Sequence, residues 1–401
     1  MIRCAAVLVA LVTCLCSLIM VPSSSAQSVR DSAGVRIVTY AAEDRPSALW
    51  EVGPPTLQLG GREGIGPEQF WNIAGILMLD NGSLVVGDQG SSELRFFSSQ
   101  TGAHLRSVGG QGQGPGEIDV LWTIWRAGRD IVAVDAAGRA SYFDSQGSFR
   151  RRLAPPISAR GYRLERAGFF SSGDALAYGF ESPAEIAPGR TLIAIRVVRL
   201  TSDEPTYLTQ YPGYVATRHG SSRPRYLALG PSIALAVLGD RFCLGFPQDY
   251  VVECFSEEGR LIQRTVRTVW PRTPVTQSDR DRYFRSREAA NPRLRTGALR
   301  RALREETEFA RSLPAFGRFV PGENGELWVG PVPIEADTPV LYPSPPGPTD
   351  WAVFSRDGDW IANVVLPARF WLMSAGRGYV AGVMRDENDV ESLLVLPLRR
   401  S

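Results

Sequence analysis

The chain has no lysine: all 44 of its basic side chains are arginine. That excludes a Walker-type phosphate loop and any enzyme working through a lysine Schiff base. Histidine is nearly as scarce. Only His104 and His219 occur, so a three-histidine zinc site cannot be assembled. Net charge is only +2 over 401 residues, which offers no electrostatic reason to expect nucleic acid or an anionic membrane as partner. Two nucleophile and nucleotide signatures are also missing. There is no Gly-x-Ser-x-Gly elbow, and the glycine-rich run Gly109–Gly116 lacks both the spacing of a dinucleotide fingerprint and a following helix. What is plentiful is glycine (40) and proline (29), without low complexity. The length allows two or three average domains or one large, turn-rich β-architecture.

Apart from the N-terminus, no apolar run reaches membrane-spanning length. Met1–Arg3 is a short basic start, residues 4–21 are largely apolar, and Ser24 and Ala26 supply small residues ahead of Gln27. This reads as a Sec-type signal peptide over residues 1–26, with a membrane anchor as the alternative. The expected mature protein is periplasmic or extracellular. Three of the five cysteines leave with the leader. Cys243 and Cys254 remain, and a four-residue turn at Pro247–Tyr250 sets them opposite one another on adjacent strands. A disulfide is expected in an oxidising compartment, two buried thiols being the alternative.

The rest is organised by repeated phrases. Phe-x-x-x-Gly occurs at Phe143–Gly147, Phe255–Gly259 and Phe354–Gly358, and with one insertion at Phe97–Gly102. Asp80–Gly87 matches Glu323–Gly330 around a shared Asn-Gly, and Gly64–Phe70 matches Gly112–Ile118 around a shared Gly-x-Gly-Pro. Asn-Gly pairs tolerate positive φ and close hairpins, and the β-branched and aromatic runs between them suit strands. The unit is a four-stranded meander of about 40–50 residues, the size of a propeller blade.

On these phrases the chain resembles secreted bacterial six-bladed β-propellers of the NHL-like and TolB-like kind. The resemblance implies an all-β, six-bladed propeller over residues 56–401, preceded by a segment at 27–55. The last blade supplies only three strands, so Thr56–Leu59 is expected to complete it and close the ring. Val35–Tyr40 is a further strand with no assigned place. Residues 269–315 read as a helical insertion between blades 4 and 5: a first helix from Thr276 to about Ala290, then a second starting at Asn291-Pro292 with Leu299, Leu303 and Ala310 on its apolar face. The pair could fold over the channel as a lid. Its arginines suggest either an anionic ligand or a solubilising role balanced by neighbouring acids.

Loop length favours one face. Turns between first and second, and third and fourth, strands are uniformly tight, whereas the long connections (212–231, 269–315, 331–350 and about 180–191) all fall on the opposite side. Long loops on a rigid scaffold commonly carry function. Candidate ligand-binding residues there are Asn72, Trp122, Trp125, Arg218, His219, Arg318 and Trp371, with Phe70, Trp71, Phe316 and Phe370 as further aromatics that could line a pocket or pack blades. His219 is the one candidate general acid or base of its type; no catalytic residue is assigned. The expected role is binding of a protein, peptide or glycan, without a cofactor. The alternative is a metal-dependent hydrolase resembling lactonase propellers, in which Glu68, Asn72, Asp119, Glu165 and Glu181 would offer oxygen ligands to calcium. Lyase-type propellers of the NHL group use several histidines for zinc, which this chain cannot supply.

Overall fold

The computed structural model describes residues 27–156, 164–201, 204–217, 225–294, 296–334 and 345–400. The expected signal peptide, Arg218 and His219 lie outside them. The described chain is all-β with one helical segment, and none of its helices is long and apolar enough to cross a membrane.

Six antiparallel meanders follow one another among the described residues. Sheet I is Ile73–Met78, Ser83–Asp88, Glu93–Ser98 and His104–Gly109. Sheet II is Leu121–Ala127, Asp130–Asp135, Ala140–Phe143 and Phe149–Leu153. Sheet III is Glu165–Phe169, Ala175–Phe180, Arg190–Thr201 and Glu204–Thr217, with Arg225–Tyr226 added outside. Sheet IV is Ala234–Leu238, Arg241–Gly245, Tyr250–Ser256 and Leu261–Arg267. Sheet V is Arg318–Pro321, Leu327–Gly330, Thr349–Phe354 and Trp360–Leu366. Sheet VI is Phe370–Gly376, Tyr379–Arg385 and Glu391–Arg400, completed by Leu57–Gly60.

The Phe-x-x-x-Gly phrase has one structural meaning in all four copies. Phe97, Phe143, Phe255 and Phe354 are buried at the end of the third strand. At each, the pairing with the fourth strand slips by one residue. The bulge adds twist just where the chain must turn back. The glycine that closes the turn has φ of 83° at Gly147, 81° at Gly259 and 85° at Gly358, a region that a Cβ disfavours.

Both faces of every sheet are buried. Phe96 and Ile131 belong to a core between sheets I and II, Tyr142 and Phe169 to one between II and III, and Phe170 and Phe242 to one between III and IV. Val252 and Phe354 pack between IV and V, Trp328 and Phe370 between V and VI, and Leu393 and Leu84 between VI and I. The first strands touch in the same order, and Phe370–Gly376 of sheet VI lies against Ile73–Met78 of sheet I.

The N-terminal segment does more than was expected of it. Val35–Tyr40 pairs in parallel with the outer strand of sheet IV and carries Ser28–Ser32 as a hairpin. Ala48–Val52 pairs in parallel with the outer strand of sheet V and antiparallel with Leu398–Arg400, fusing sheets V and VI into one. The outer edges of sheets IV and V, which would otherwise template aggregation, are thereby covered. Tyr40 locks the strap: its buried hydroxyl donates to the Gly358 carbonyl (3.0 Å) and accepts from the Trp360 amide (2.6 Å).

The disulfide is present, Cys243 and Cys254 being direct cross-strand partners with an S–S distance of 1.99 Å. The first helix, Gln277–Ala290, has the expected capping box of Thr276 and Asp279. The second helix differs. Pro292–Leu294 forms only a 3-10 turn, and the helix runs Gly297–Glu306 behind Thr296. Leu303 packs, as expected, against the aromatic trio Tyr283, Phe284 and Phe309, but Leu299 is exposed and Ala310 lies beyond the helix.

Candidate functional site

The long-loop face is built outward from a buried ion pair. Asp88 is 2% exposed and meets Arg95 at 3.0 Å. A buried pair of this kind is tolerable only when its remaining hydrogen-bonding capacity is used. Arg95 also donates to the carbonyls of Pro67 (2.9 Å) and Gln69 (2.7 Å) and to Glu93 (3.0 Å). Asp88 accepts from the Trp71 amide at 2.7 Å and from Ser91. The pair thus pins the Gly-Pro linker onto sheet I.

The residue so pinned is not buried. Trp71 is 76% exposed, although its carbonyl is also held by the Gly90 amide at 3.0 Å. Asn72 follows in a left-handed conformation, φ 63°. Its side chain donates to Gln89 at 2.6 Å and accepts from Arg385 at 3.4 Å, and Gln89 donates onward to the Leu121 carbonyl at 2.9 Å. Trp122, next along the chain, is 47% exposed. Asn72 therefore joins sheets I, II and VI, and exposed tryptophans neighbour it in the chain at Trp71 and follow Leu121 at Trp122. A strained residue within a hydrogen-bonded hub beside exposed aromatics marks a functional region better than exposure alone.

A second grouping lies between sheets V and VI. The Arg318 guanidinium sits 3.8 Å from the Trp371 ring centre and 5.6 Å from that of Trp351, and donates to the Leu372 carbonyl at 2.9 Å. Arg318 also lines a cavity of about 510 Å³ enclosed by the first strands of all six sheets, as do Gly75, Trp125, Gly168 and Val237. These strands end their sheets, so each turns an unpaired backbone edge inward, and the cavity is polar in spite of its apolar side chains. At its far end Tyr379 donates to Glu323 at 2.6 Å. Burial and the adjacent Glu323 charge push the Tyr379 hydroxyl far above its usual range.

The sequence candidates thus separate into Asn72 with Trp71 and Trp122, Arg318 with Trp371, and Trp125 inside the channel, where it packs on Phe169 at 5.8 Å. Phe316 and Phe370 are core residues, and Phe70 is partly buried against Phe97. The oxygen ligands considered for calcium are dispersed. Asp119 pairs with Arg139 at 3.0 Å, Glu165 accepts from Tyr178 at 2.8 Å, and Glu181 pairs with Arg196 at 2.6 Å. Among the described residues no three His, Cys, Asp or Glu side chains converge. Among the described residues, none of the helical insertion lines the channel cavity. The insertion docks on the linker of sheet IV, where Ala228 exchanges backbone bonds with Glu308 and Ala310, both 2.9 Å. Two of its arginines are engaged with one acid: burial alone would raise the Glu288 carboxyl, but hydrogen bonds from Arg300 and Arg304 hold it below the usual carboxylate range.

Sequence reasoning missed the Asp88–Arg95 pair and a row of rings on sheet III. An arginine amid the buried run Leu94–Phe97 was the available signal for the first, since a charge at a core position demands a partner. Tyr178 and Phe180 share one strand, but Tyr214 and Tyr226 come from two others, and nothing in the sequence announces that the three strands bring their rings into contact.

No family model and no curated protein matches this chain. Among solved structures, a member of the DUF4221 family from Bacteroides vulgatus superposes with a TM-score of 0.56 at 10% identity, covering 88% of this chain and 100% of its own. A Bacteroides fragilis protein described as exported covers 91% of this chain and 99% of its own at 14% identity, with a TM-score of 0.47. The first likeness is one of fold; neither carries an activity.

Proposed function

We propose that the chain is an exported six-bladed β-propeller that binds a protein, peptide or glycan through its long-loop face. The cyclic order of the six inter-sheet cores supports the ring, as does the pairing of Leu57–Gly60 with Ser392–Val395 as a closing strand. The leader-like N-terminus and the disulfide suit an oxidising, extracytoplasmic compartment. One observation carries the binding reading: Trp71, three-quarters exposed, is held on a backbone pinned by a buried ion pair, and Trp122 is exposed as well. Rigid, exposed indoles are the usual energetic centres of recognition surfaces.

The test is a glycan and peptide array probed with labelled mature protein, residues 27–401. The reading expects ligands whose capture falls at least tenfold in the Trp71→Ala/Trp122→Ala variant, at unchanged melting temperature. Equal capture by the variant refutes it. N-terminal sequencing of protein recovered from the periplasm of an expressing Gram-negative host should begin at Gln27; recovery with the leader intact in the membrane fraction refutes export as a cleaved protein.

A further inference from the structure

Sheet III stands taller than its neighbours. Its third and fourth strands run 12 and 14 residues, whereas the corresponding strands of sheet IV run 7 each. The surplus carries a row of aromatic rings. Tyr178 and Phe180 share one face of the second strand, Tyr214 comes from the fourth and Tyr226 from the short strand outside it. Consecutive ring centres are 5.7, 5.6 and 5.2 Å apart. Phe180 is 51% exposed and Tyr226 is exposed as well, so the row opens to solvent at these two rings, while Tyr214 is half-buried and Tyr178 packs partly against the core between sheets III and IV.

The row leads to a pocket. Tyr226 also lines a cavity of about 230 Å³ whose other walls include Leu229, Ile233, Pro247, Phe316 and Pro333. Among the described residues, Ser232 is the only other polar side chain in that wall. Its apolar side chains offer contacts to an aliphatic group, with Tyr226, Ser232 and backbone groups as the polar part of the wall.

Charge and ring geometry narrow the occupant further. Arginines near the row are paired among the described residues: Arg196 with Glu181, Arg190 with Glu308, and Arg225 with Glu306. Among the described residues, then, the charges beside the row are balanced, which favours a neutral ligand. The first two ring pairs meet edge to face, at 85° and 79°. They form notches, not the flat platform on which a pyranose stacks. A polyproline II helix is ridged, repeats every three residues at about 9 Å, and loses little entropy on docking. Two ring steps, of 5.6 and 5.2 Å, cover about one such turn. The geometry points to a binding groove for a neutral, proline-rich segment of a partner protein, with Tyr178, Phe180, Tyr214 and Tyr226 as its floor and the 230 Å³ pocket taking one aliphatic side chain. This groove is separate from the Trp71 and Trp122 pair.

The experiment uses mature protein and a fluorescein-labelled decamer of Pro-Pro-Leu repeats, read by fluorescence anisotropy. Controls are a decamer with the prolines replaced by alanine and glutamine, an all-proline decamer, and maltohexaose by calorimetry. We expect the Pro-Pro-Leu decamer to bind at least tenfold more tightly than the proline-free peptide. It should also bind at least fivefold more tightly than polyproline, which has nothing to fill the pocket. Phe180→Ala and Tyr226→Ala should each weaken binding at least tenfold, while Trp122→Ala leaves it within twofold. Phe180→Leu, which keeps apolar bulk, serves if the alanine variant fails to fold; it should weaken binding at least threefold. Equal affinity for the proline-free peptide, indifference to the ring variants, or maltohexaose binding that Phe180→Ala abolishes would each overturn the proposal. Array ligands that still depend on Trp71 and Trp122 would leave the long-loop reading standing while this one fell.

Discussion

Tyr40→Phe removes one oxygen from a place where two backbone groups depend on it. The hydroxyl donates to the Gly358 carbonyl and accepts from the Trp360 amide, at 3.0 and 2.6 Å, with the side chain 1% exposed. Phenylalanine keeps the shape and leaves both groups buried without a partner. Each such orphan costs about 1–3 kcal/mol, so the loss should be about 2–6 kcal/mol at pH 7, read from guanidinium unfolding followed by tryptophan fluorescence. A second arm comes from pH. Burial, aided by the charges of Asp359 and Asp44 and opposed by the Trp360 hydrogen bond, leaves the Tyr40 hydroxyl pushed up to about 12 from 10.0. The folded state therefore holds this proton more tightly than the unfolded chain. Its contribution is complete below pH 10 and is lost as pH rises to about 12, at about 1.4 kcal/mol per pH unit. Tyr178 and Tyr211 are also shifted upward, mainly by burial, so both proteins weaken in alkali. The variant should weaken less steeply, by one proton's worth, and the two curves should converge. A loss below about 0.5 kcal/mol at pH 7, or a gap that stays constant from pH 9.5 to 11.5, would refute the role given to Tyr40.

Three further outcomes are expected. Replacing both Cys243 and Cys254 by alanine should cost about 3 kcal/mol, the loop entropy of a short cross-link, and denatured mature wild-type protein should show no thiol reacting with Ellman's reagent. Arg95→Met should cost about 3–5 kcal/mol by stranding the Asp88 carboxylate, and adding Asp88→Asn should recover part of it; a double variant no better than the single would contradict the pairing. Gly358→Ala and Gly378→Ala both face φ of 85°, but only at Gly358 would the new methyl come within 2.6 Å of Gln263 and Thr265. Gly358→Ala should therefore be the more destabilising by at least about 1 kcal/mol, and equal melting temperatures would show that the contact relaxes freely.

What was legible in the amino-acid order is what local chemistry decides. The Phe-x-x-x-Gly and Asn-Gly phrases located strand ends, because a bulge and a positive φ each demand particular residues. The spacing of Cys243 and Cys254 located a disulfide, because register across a short turn is nearly a matter of counting. Thr276 and Asp279 located a helix start. The second helix was misplaced because Asn291-Pro292 is an adequate start signal on its own, and docking of Phe309 against Tyr283 and Phe284 overrode it.

Composition alone settled which chemistries are closed to this protein, since no arrangement of a chain without lysine and with two histidines can supply them. Alternation and turn residues settled that it is built from four-stranded meanders. Only the folded molecule decided that Val35–Tyr40 and Ala48–Val52 cover the outer edges of sheets IV and V. Only it decided that Asp88 and Arg95 hold Trp71 out to solvent, and that four rings from three strands of sheet III form a row. Those are contacts between residues distant in sequence, or facing across strands whose local pattern was already satisfied, and their free energy exists only once the sheets have packed.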